Sequence, residues 1–407
     1  MGPFRFRYPA TFTLVFLFLF SSGVCQSKLK TMDKKLLWMI IFIVLIPLLI
    51  GSGYTYSTHS TQSETLKGFI YFEGWACQTA PYAFSLFKLS LADKDKTISP
   101  VIDVSLQLKW LSSNATKDKF LYKTQNIKTQ KDQFYYQDIK CKIIKGISQL
   151  PIDPIESLSL SPDGTRIVYS SYASKKKYQY LPLADIYIYD LKAGKNKQIT
   201  FNDRHNILPV WSPDGKWIAF YSITSAIKDI DNFPTDTQGY ALCIMDNQGN
   251  YYKKIAPPNY LSSFYLNYSP QWHPAGSKIM FLSKTLSGSE TIPMDLCQVD
   301  ANGKNYQILR SPGGAYPSWS PDGNNILFTE KNIIKVVNLK TNEENIISGD
   351  SSFKGVPIWS PDGKHIMFST ATSLEFYDFE NNKKLRSVSL DNIKPVDSQG
   401  ACYWLND

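Results

Sequence analysis

Three features of this 407-residue sequence predict an all-β fold, a ring of four-stranded blades closed on itself. A short turn motif recurs along the chain, an alternating strand follows each copy, and residues suited to pleated surfaces dominate. The 25 Tyr and 23 Phe, against 7 Met, favour β structure, because flat and branched side chains fill a sheet face better than a helix face. With 43% hydrophobic and 19% charged residues the chain has enough apolar content for a packed core, which excludes a disordered chain.

The repeat is nearly letter-perfect in three places: Val210-Trp211-Ser212-Pro213-Asp214-Gly215, Ser318-Trp319-Ser320-Pro321-Asp322-Gly323 and Ile358-Trp359-Ser360-Pro361-Asp362-Gly363. Two variants, Leu160-Ser161-Pro162-Asp163-Gly164 and Gln271-Trp272-His273-Pro274-Ala275-Gly276, extend the series. Measured from the Ser or His, the spacings are 51, 61, 47 and 40 residues, the size of a propeller blade. Pro presets φ, Asp bonds locally and Gly takes the left-handed conformation, so each motif reads as a hairpin turn. Strands follow each turn, as in Trp217-Ile218-Ala219-Phe220 and Ile366-Met367-Phe368. Third strands end near an Asp, as in Asp185 to Asp190 and Leu242 to Asp246, and short fourth strands such as Gln198-Ile199-Thr200 complete each unit.

Weaker copies precede the clear ones. Leu108-Lys109-Trp110, Phe120-Leu121-Tyr122 and Phe134-Tyr135-Tyr136 read as a blade whose tight turn is replaced by a Leu111 to Lys119 loop. Before it, Gly68 to Phe72 and Phe84 to Leu89 supply second and third strands with no first strand ahead of them. The missing strand stands at the other end, where Gly400 to Asp407 aligns with Gly355 to Asp362. The expectation is a β-propeller over residues 66 to 407, seven blades or six, in which the C-terminal strand completes the N-terminal blade and removes open edges.

The WSPDG turn followed by an Ile-x-Phe strand resembles the TolB-type, WD-like propeller repeat over residues 155 to 390. The resemblance implies that the Trp strand is innermost. It does not imply one activity, since the same blades occur in TolB, in prolyl-oligopeptidase-type peptidases and in some polysaccharide lyases. Neither the small α/β domain that TolB carries before its propeller nor a Gly-x-Ser-x-Gly elbow is found, so TolB's own role and a hydrolase activity do not carry over.

The N-terminus reads as targeting sequence. Phe12 to Phe20 is signal-sized, whereas Met32-Asp33-Lys34-Lys35 followed by Leu36 to Ile50 is a basic flank and a fifteen-residue apolar run. Residues 1–31 are read as an upstream extension or extra signal-like segment, 32–53 as signal peptide or membrane anchor, and 54–65 as linker. An extracytoplasmic location, periplasmic or cell surface, follows. Of the net charge of +9, residues 1 to 50 hold six Lys/Arg against one acid, which leaves no nucleic-acid footprint on the rest.

Antiparallel alternation places the WSPDG turns on one face of the disc and the loops after strands two and four on the other. That second face collects the long aromatic segments Trp75 to Tyr82, Ala173 to Leu183, Thr224 to Gly239, Pro257 to Asn267 and Ser348 to Lys354. A protein or glycan ligand is expected there, with Arg204, His205, Tyr178, Tyr180, Phe233, Tyr260, Phe264, Tyr265 and Phe353 as binding candidates. No cofactor, metal or catalytic residue is assigned, because His59, His205, His273 and His365 are too scattered for a ligand set. The alternative is a lyase-like, polysaccharide-active enzyme around His205 and Arg204, since lyases with this repeat place a metal-binding His in such a loop.

The repeated Asp163, Asp214, Asp322 and Asp362 read as turn formers, and Trp110, Trp211, Trp272, Trp319, Trp359 and Trp404 as packing between blades. Asn114 and Asn267 head glycosylation sequons that matter only in a eukaryotic host. Cys243 and Cys297 occupy equivalent strands of neighbouring blades, too far apart to bond. Cys402 is expected opposite about Phe72, and a fold-back of Glu73 to Ala76 would bring Cys77 to it as a disulfide latching the chain ends.

Overall fold

The WSPDG turn folds by a relay of hydrogen bonds that its own residues supply. In the fourth blade Ser212 Oγ donates to Asp214 Oδ1 at 2.6 Å, while Asp214 Oδ1 accepts from the Lys216 amide at 3.1 Å. The Ser212 hydroxyl then accepts the Trp217 amide at 2.9 Å, which sets the start of the next strand. The same bonds recur around Ser161, Ser320 and Ser360. Partial burial by itself would raise these aspartates. The Ser hydroxyl and backbone amides outweigh it and hold Asp163, Asp214, Asp322 and Asp362 below the usual carboxylate range. They are turn formers, as the sequence implies.

In the computed structural model these turns join the first two strands of successive blades. The structure describes Leu66 and most of residues 69–405, leaving out 1–65, 67–68, 77–83, 93–97, 102–105, 114–118, 127–128, 130–131, 139–142, 148–153, 173–176, 179–180, 203, 224–239, 257–268, 284–294, 312, 350–354, 391–392, 396–401 and 406–407. The targeting and linker segments read from the sequence, both sequon asparagines and Cys77 lie outside the described residues.

Seven antiparallel blades result, with one further two-stranded sheet in a loop of blade three, and among the described residues there is no helix. Blade two runs Leu106–Ser113, Lys119–Asn126, Asp132–Asp138 and Ile143–Ile147; blade three Pro154–Leu160, Arg166–Ser171, Asp185–Asp190 and Lys195–Gln198. Blade four is Asn206–Trp211, Trp217–Ile223, Tyr240–Asp246 and Lys253–Lys254; blade five Gln271–Trp272, Lys278–Ser283, Asp295–Asp300 and Gln307–Arg310. Blade six is Ala315–Trp319, Asn325–Glu330, Ile333–Asn338 and Glu344–Ser348; blade seven Ile358–Trp359, His365–Ser369, Ser373–Asp378 and Lys383–Ser389. Blade one joins Phe69–Ala76, Phe84–Ser90 and Ile98–Pro100 to strands from the far end of the chain.

That closure takes the expected register, with Phe72 opposite Cys402 and Ile70 opposite Trp404. It also differs in one respect. Glu73 to Ala76 does not fold back: Phe69–Ala76 stays extended and pairs, from Gly74 onward, with a second C-terminal strand, Ile393–Pro395. An extended strand rises about 3.3 Å per residue, so this segment leads away from Cys402. Two further boundaries move. Blade two's first strand pairs as far as Ser113 opposite Phe120, which shortens the Leu111 to Lys119 loop, and blade three's fourth strand is Lys195–Gln198.

The core lies between the sheets. Val168, Ile186 and Ile188 of blade three cluster with Trp211, Ile218 and Phe220 of blade four, and Leu327 and Val336 of blade six with Trp359 and Ile366 of blade seven. Met367 and Phe376 of blade seven pack with Ile70, Leu89 and Trp404 across the closure. Where described, the Trp side chains pack between blades: Trp211, Trp319, Trp359 and Trp404 are buried and Trp272 is partly so, while the Trp110 side chain lies outside the described residues.

Blade five departs from the turn rule, with His273 in place of Ser and Ala275 in place of Asp. His273 Nδ1 accepts the Ala275 amide at 3.0 Å, so Nε2 carries the proton and donates to Gly323 O of the next blade's turn at 3.2 Å. Gly323 has φ +73°, and a Cβ there would meet the His273 ring at 2.0 Å. At Gly363, φ +74°, the nearest atom would be Pro321 Cδ at 3.4 Å. Gly363→Ala should therefore lower stability by about 1 kcal/mol from backbone strain alone, and Gly323→Ala by more. Urea titration of both variants checks this; equal losses would contradict the cross-blade contact.

Candidate ligand-binding face

Sheet topology puts the connections after second strands on the face opposite the turns. They are long in blades three to five and tight in blades six and seven, where Lys331 and Asn332 alone join Asn325–Glu330 to Ile333–Asn338. On that face the chain entering blade four is held by its own side chains. Asn206, fully buried, donates to Asn202 Oδ1 at 2.7 Å and to Arg204 O at 3.3 Å, and accepts from Ser222 Oγ at 2.8 Å. This network fixes the loop that presents Arg204 and His205.

His205 is 8% exposed, its Nδ1 lies 2.8 Å from Tyr240 Oη, and the ring of Tyr172 stacks on it at 5.8 Å between centroids and 14° between planes. Burial pushes its pKa down to about 4, so the imidazole is neutral at pH 7. Tyr172, stacked on this ring, is 42% exposed, and Phe201, in the same connection as His205, is 70% exposed. Arg204 donates to Ile223 O at 3.3 Å and sets its guanidinium 6.0 Å from the Tyr252 ring.

Beneath Arg204 the chemistry is quiet. Burial lifts the Cys243 thiol to about 11 and the Tyr252 hydroxyl to about 12, and the two sit 3.3 Å apart. Blade five repeats the arrangement with Cys297 Sγ 3.4 Å from Tyr306 Oη. Both cysteines are free and buried, as expected, and neither is a nucleophile at neutral pH. Among the described residues no group of three His, Cys, Asp or Glu is placed to hold a metal ion. Elsewhere His365 packs rather than presents, its ring 6.0 Å from that of Trp404 at the closure.

Of the residues singled out in the sequence, the described structure brings together Arg204 and His205. Tyr178 lies in a two-residue strand, Lys177–Tyr178, paired with Leu181–Pro182 in the loop that follows Tyr172. Tyr180, Phe233, Tyr260, Phe264, Tyr265 and Phe353 lie outside the described residues. Tyr172, Phe201, Tyr240 and Tyr252 were not legible as site residues. Tyr172 and Tyr240 border the long segments Ala173 to Leu183 and Thr224 to Gly239, and that position was the available signal.

The chain matches the TolB beta propeller domain family over residues 151–392. It therefore belongs to that family. Among curated proteins it is 29% identical over 154 residues to the uncharacterised peptidase YuxL of Bacillus subtilis, covering 37% of this chain and 20% of that one. It is 25% identical over 176 residues to the uncharacterised protein Atu1656 of Agrobacterium fabrum, covering 41% and 52%. The chain thus spans between a fifth and about half of the length of these relatives. Among solved structures, the oligogalacturonate lyase of Vibrio parahaemolyticus superposes with a TM-score of 0.52 at 12% identity, covering 74% of this chain and 88% of that one, which is a likeness of fold.

The depressed pKa of His205 has a thermodynamic sign. The unfolded chain binds a proton near pH 6.5 and the folded chain only near 4, so His205 favours the folded state above pH 6.5 and loses that contribution as pH falls towards 4. The span is worth on the order of 3 kcal/mol. A His205→Phe variant should lose less stability than wild type between pH 6.5 and 4 in urea titrations, and parallel losses would contradict the buried, neutral assignment.

Proposed function

We propose that this chain is an exported propeller, tethered to a membrane by its N-terminal apolar segment, that binds a protein or glycan through the loop face. The observation that carries the reading is the half-exposed Tyr172 ring held flat on buried His205, with exposed Phe201 close in sequence and Arg204 beside it. A neutral imidazole braced by Tyr240 keeps the aromatic surface in place before any ligand arrives, which lowers the ordering penalty on binding. Arg204 adds a cation whose direction is set by Ile223 O. Aromatic rings and arginine are the side chains that most often dominate binding energy at protein surfaces, and flat rings also stack on sugars.

A binding role fits the local chemistry better than catalysis. His205 has its Nδ1 engaged and a pKa well below the range of a general base at neutral pH, and Cys243 is a protonated thiol. The lyase-like alternative keeps His205 as its centre and differs in its consequence. Crosslinking in native membranes, followed by identification of captured partners, tests the proposal with Tyr172→Ala and Arg204→Ala. Each should weaken capture about tenfold or more while the fold is retained. Undiminished capture by both variants contradicts it. Turnover on an oligosaccharide panel that is lost in His205→Ala would transfer the assignment to the enzyme reading.

A further inference from the structure

A second surface lies on the rim, where the fourth strands of blades three and four meet the turns of blades four and five. Two contacts make it continuous. Lys197 Nζ of blade three reaches Gln248 Oε1 at 3.3 Å, and Lys253 Nζ of blade four reaches Asn302 O of blade five. Lys195, Lys254 and Lys304 extend the same rim and are exposed. The aspartates nearest in sequence, Asp190, Asp246 and Asp300, are each taken up by their own turns, accepting from Ala193 and Lys192 amides, from Gln248 and Asn250 amides, and from Asn305 Nδ2.

Blades six and seven manage charge differently. There Lys335 pairs with Glu330 at 2.7 Å and with Glu344 at 2.9 Å, and Lys384 with Glu375 at 2.7 Å, while Arg310 of blade five reaches across to Glu344 of blade six at 2.5 Å. Lys195, Lys197, Lys253, Lys254 and Lys304 of blades three to five instead reach carbonyl or amide oxygens or solvent, with no carboxylate partner among the described residues.

An aromatic residue crowns this basic rim. Tyr251 is 78% exposed and has φ 55°. The corresponding turn residues of the other described blades are Gly194, Asn305, Asn342 and Asn382, the residue types that tolerate a left-handed backbone. Blade four accepts a strained backbone to hold a tyrosine at the turn tip, and the fold gains no burial from it. Tyr252 beside it and Tyr306 in blade five are 38% and 39% exposed.

We infer that this rim is a docking surface for the headgroup layer of an anionic lipid bilayer. Lysine ammonium groups flanking protruding tyrosines match such a layer, because the cations meet lipid phosphates while the rings sit at the apolar boundary. The residues stand on turn tips and on edge strands, within reach of a planar, deformable partner. The rim adjoins the loop face where Arg204 lies 6.0 Å from the Tyr252 ring, but the inference rests on Tyr251 and the rim lysines and does not depend on the ligand proposed there.

The test uses the full chain reconstituted into vesicles of phosphatidylcholine alone or with phosphatidylglycerol, read by lysine-modification rates and peptide mapping. An apolar N-terminal segment would enter both vesicles, so it cannot produce a difference between them. Lys195, Lys253, Lys254 and Lys304 should be modified several-fold more slowly with phosphatidylglycerol, an effect reversed by high salt, while Lys331, Lys340 and Lys383 on blades six and seven are unchanged. Each rim lysine replaced by Ala should weaken docking roughly fivefold. Tyr251→Asn, which restores the residue type of the other turns, should keep the fold and reduce protection. Equal rates in the two vesicles overturn the inference, as does protection by soluble polyglutamate where phosphatidylglycerol gives none, which would indicate an acidic protein partner.

Discussion

The structure depends on a seal between neighbouring inner strands. Trp211 Nε1 donates to Ser159 O of blade three at 3.1 Å, Trp272 to Val210 O of blade four at 3.4 Å, and Trp319 to Gln271 O of blade five at 3.4 Å. One side chain thus fills the interblade space and satisfies a carbonyl on the blade before it. Trp359 keeps the packing role without the bond, since its indole nitrogen is buried and meets no acceptor among the described residues. A sheet sealed in this way has both faces apolar and is stable only between two neighbours. The ring must close, and Trp404, 2% exposed against Phe376 and His365, closes it.

The division of labour between faces follows from the same constraint. The turn ends of the blades are held by short, repeated hydrogen-bond relays and vary little. Opposite them the chain is free of that requirement after second strands. Insertions accumulate there in blades three to five, above a scaffold rigid enough to hold Tyr172 on His205 across the junction between blades. The inner strands entering this face are themselves irregular. Leu208 and Tyr316 have φ 53° and 54°, each precedes a proline, and the pairing with the second strand shifts at both places. These bulges turn the chain from loop into inner strand ahead of the sealing Trp.

Most of the architecture was legible because it is written locally and repeatedly. Ser, Pro, Asp and Gly dictate a turn by their own bonds, and the Ile-x-Phe strands alternate at the period of a sheet. Ring closure was legible because Gly400 to Asp407 repeats the register of Gly355 to Asp362. The split of the closing strand into Ile393–Pro395 and Cys402–Leu405 was not, since the first piece carries no motif and is defined only by pairing with Gly74 to Ala76. The surroundings of His205 were hidden for the same reason. Its partners Tyr172 and Tyr240 lie 33 and 35 positions away at strand ends, where nothing in the repeat marks them. His273 was legible as a Ser replacement, but its bond to Gly323 O is a contact between turns of different blades.

The claim that chain ends complete one blade is tested most directly by native-state hydrogen exchange on the full chain. In a ring closed by shared strands, the amides of Cys402–Leu405 and of Phe69–Phe72 should exchange only through global unfolding, with the same free energy as the inner-strand amides of blade four, Asn206–Trp211. Exchange of the C-terminal strand at markedly lower free energy, with blade four still protected, would contradict closure as the element on which the fold depends.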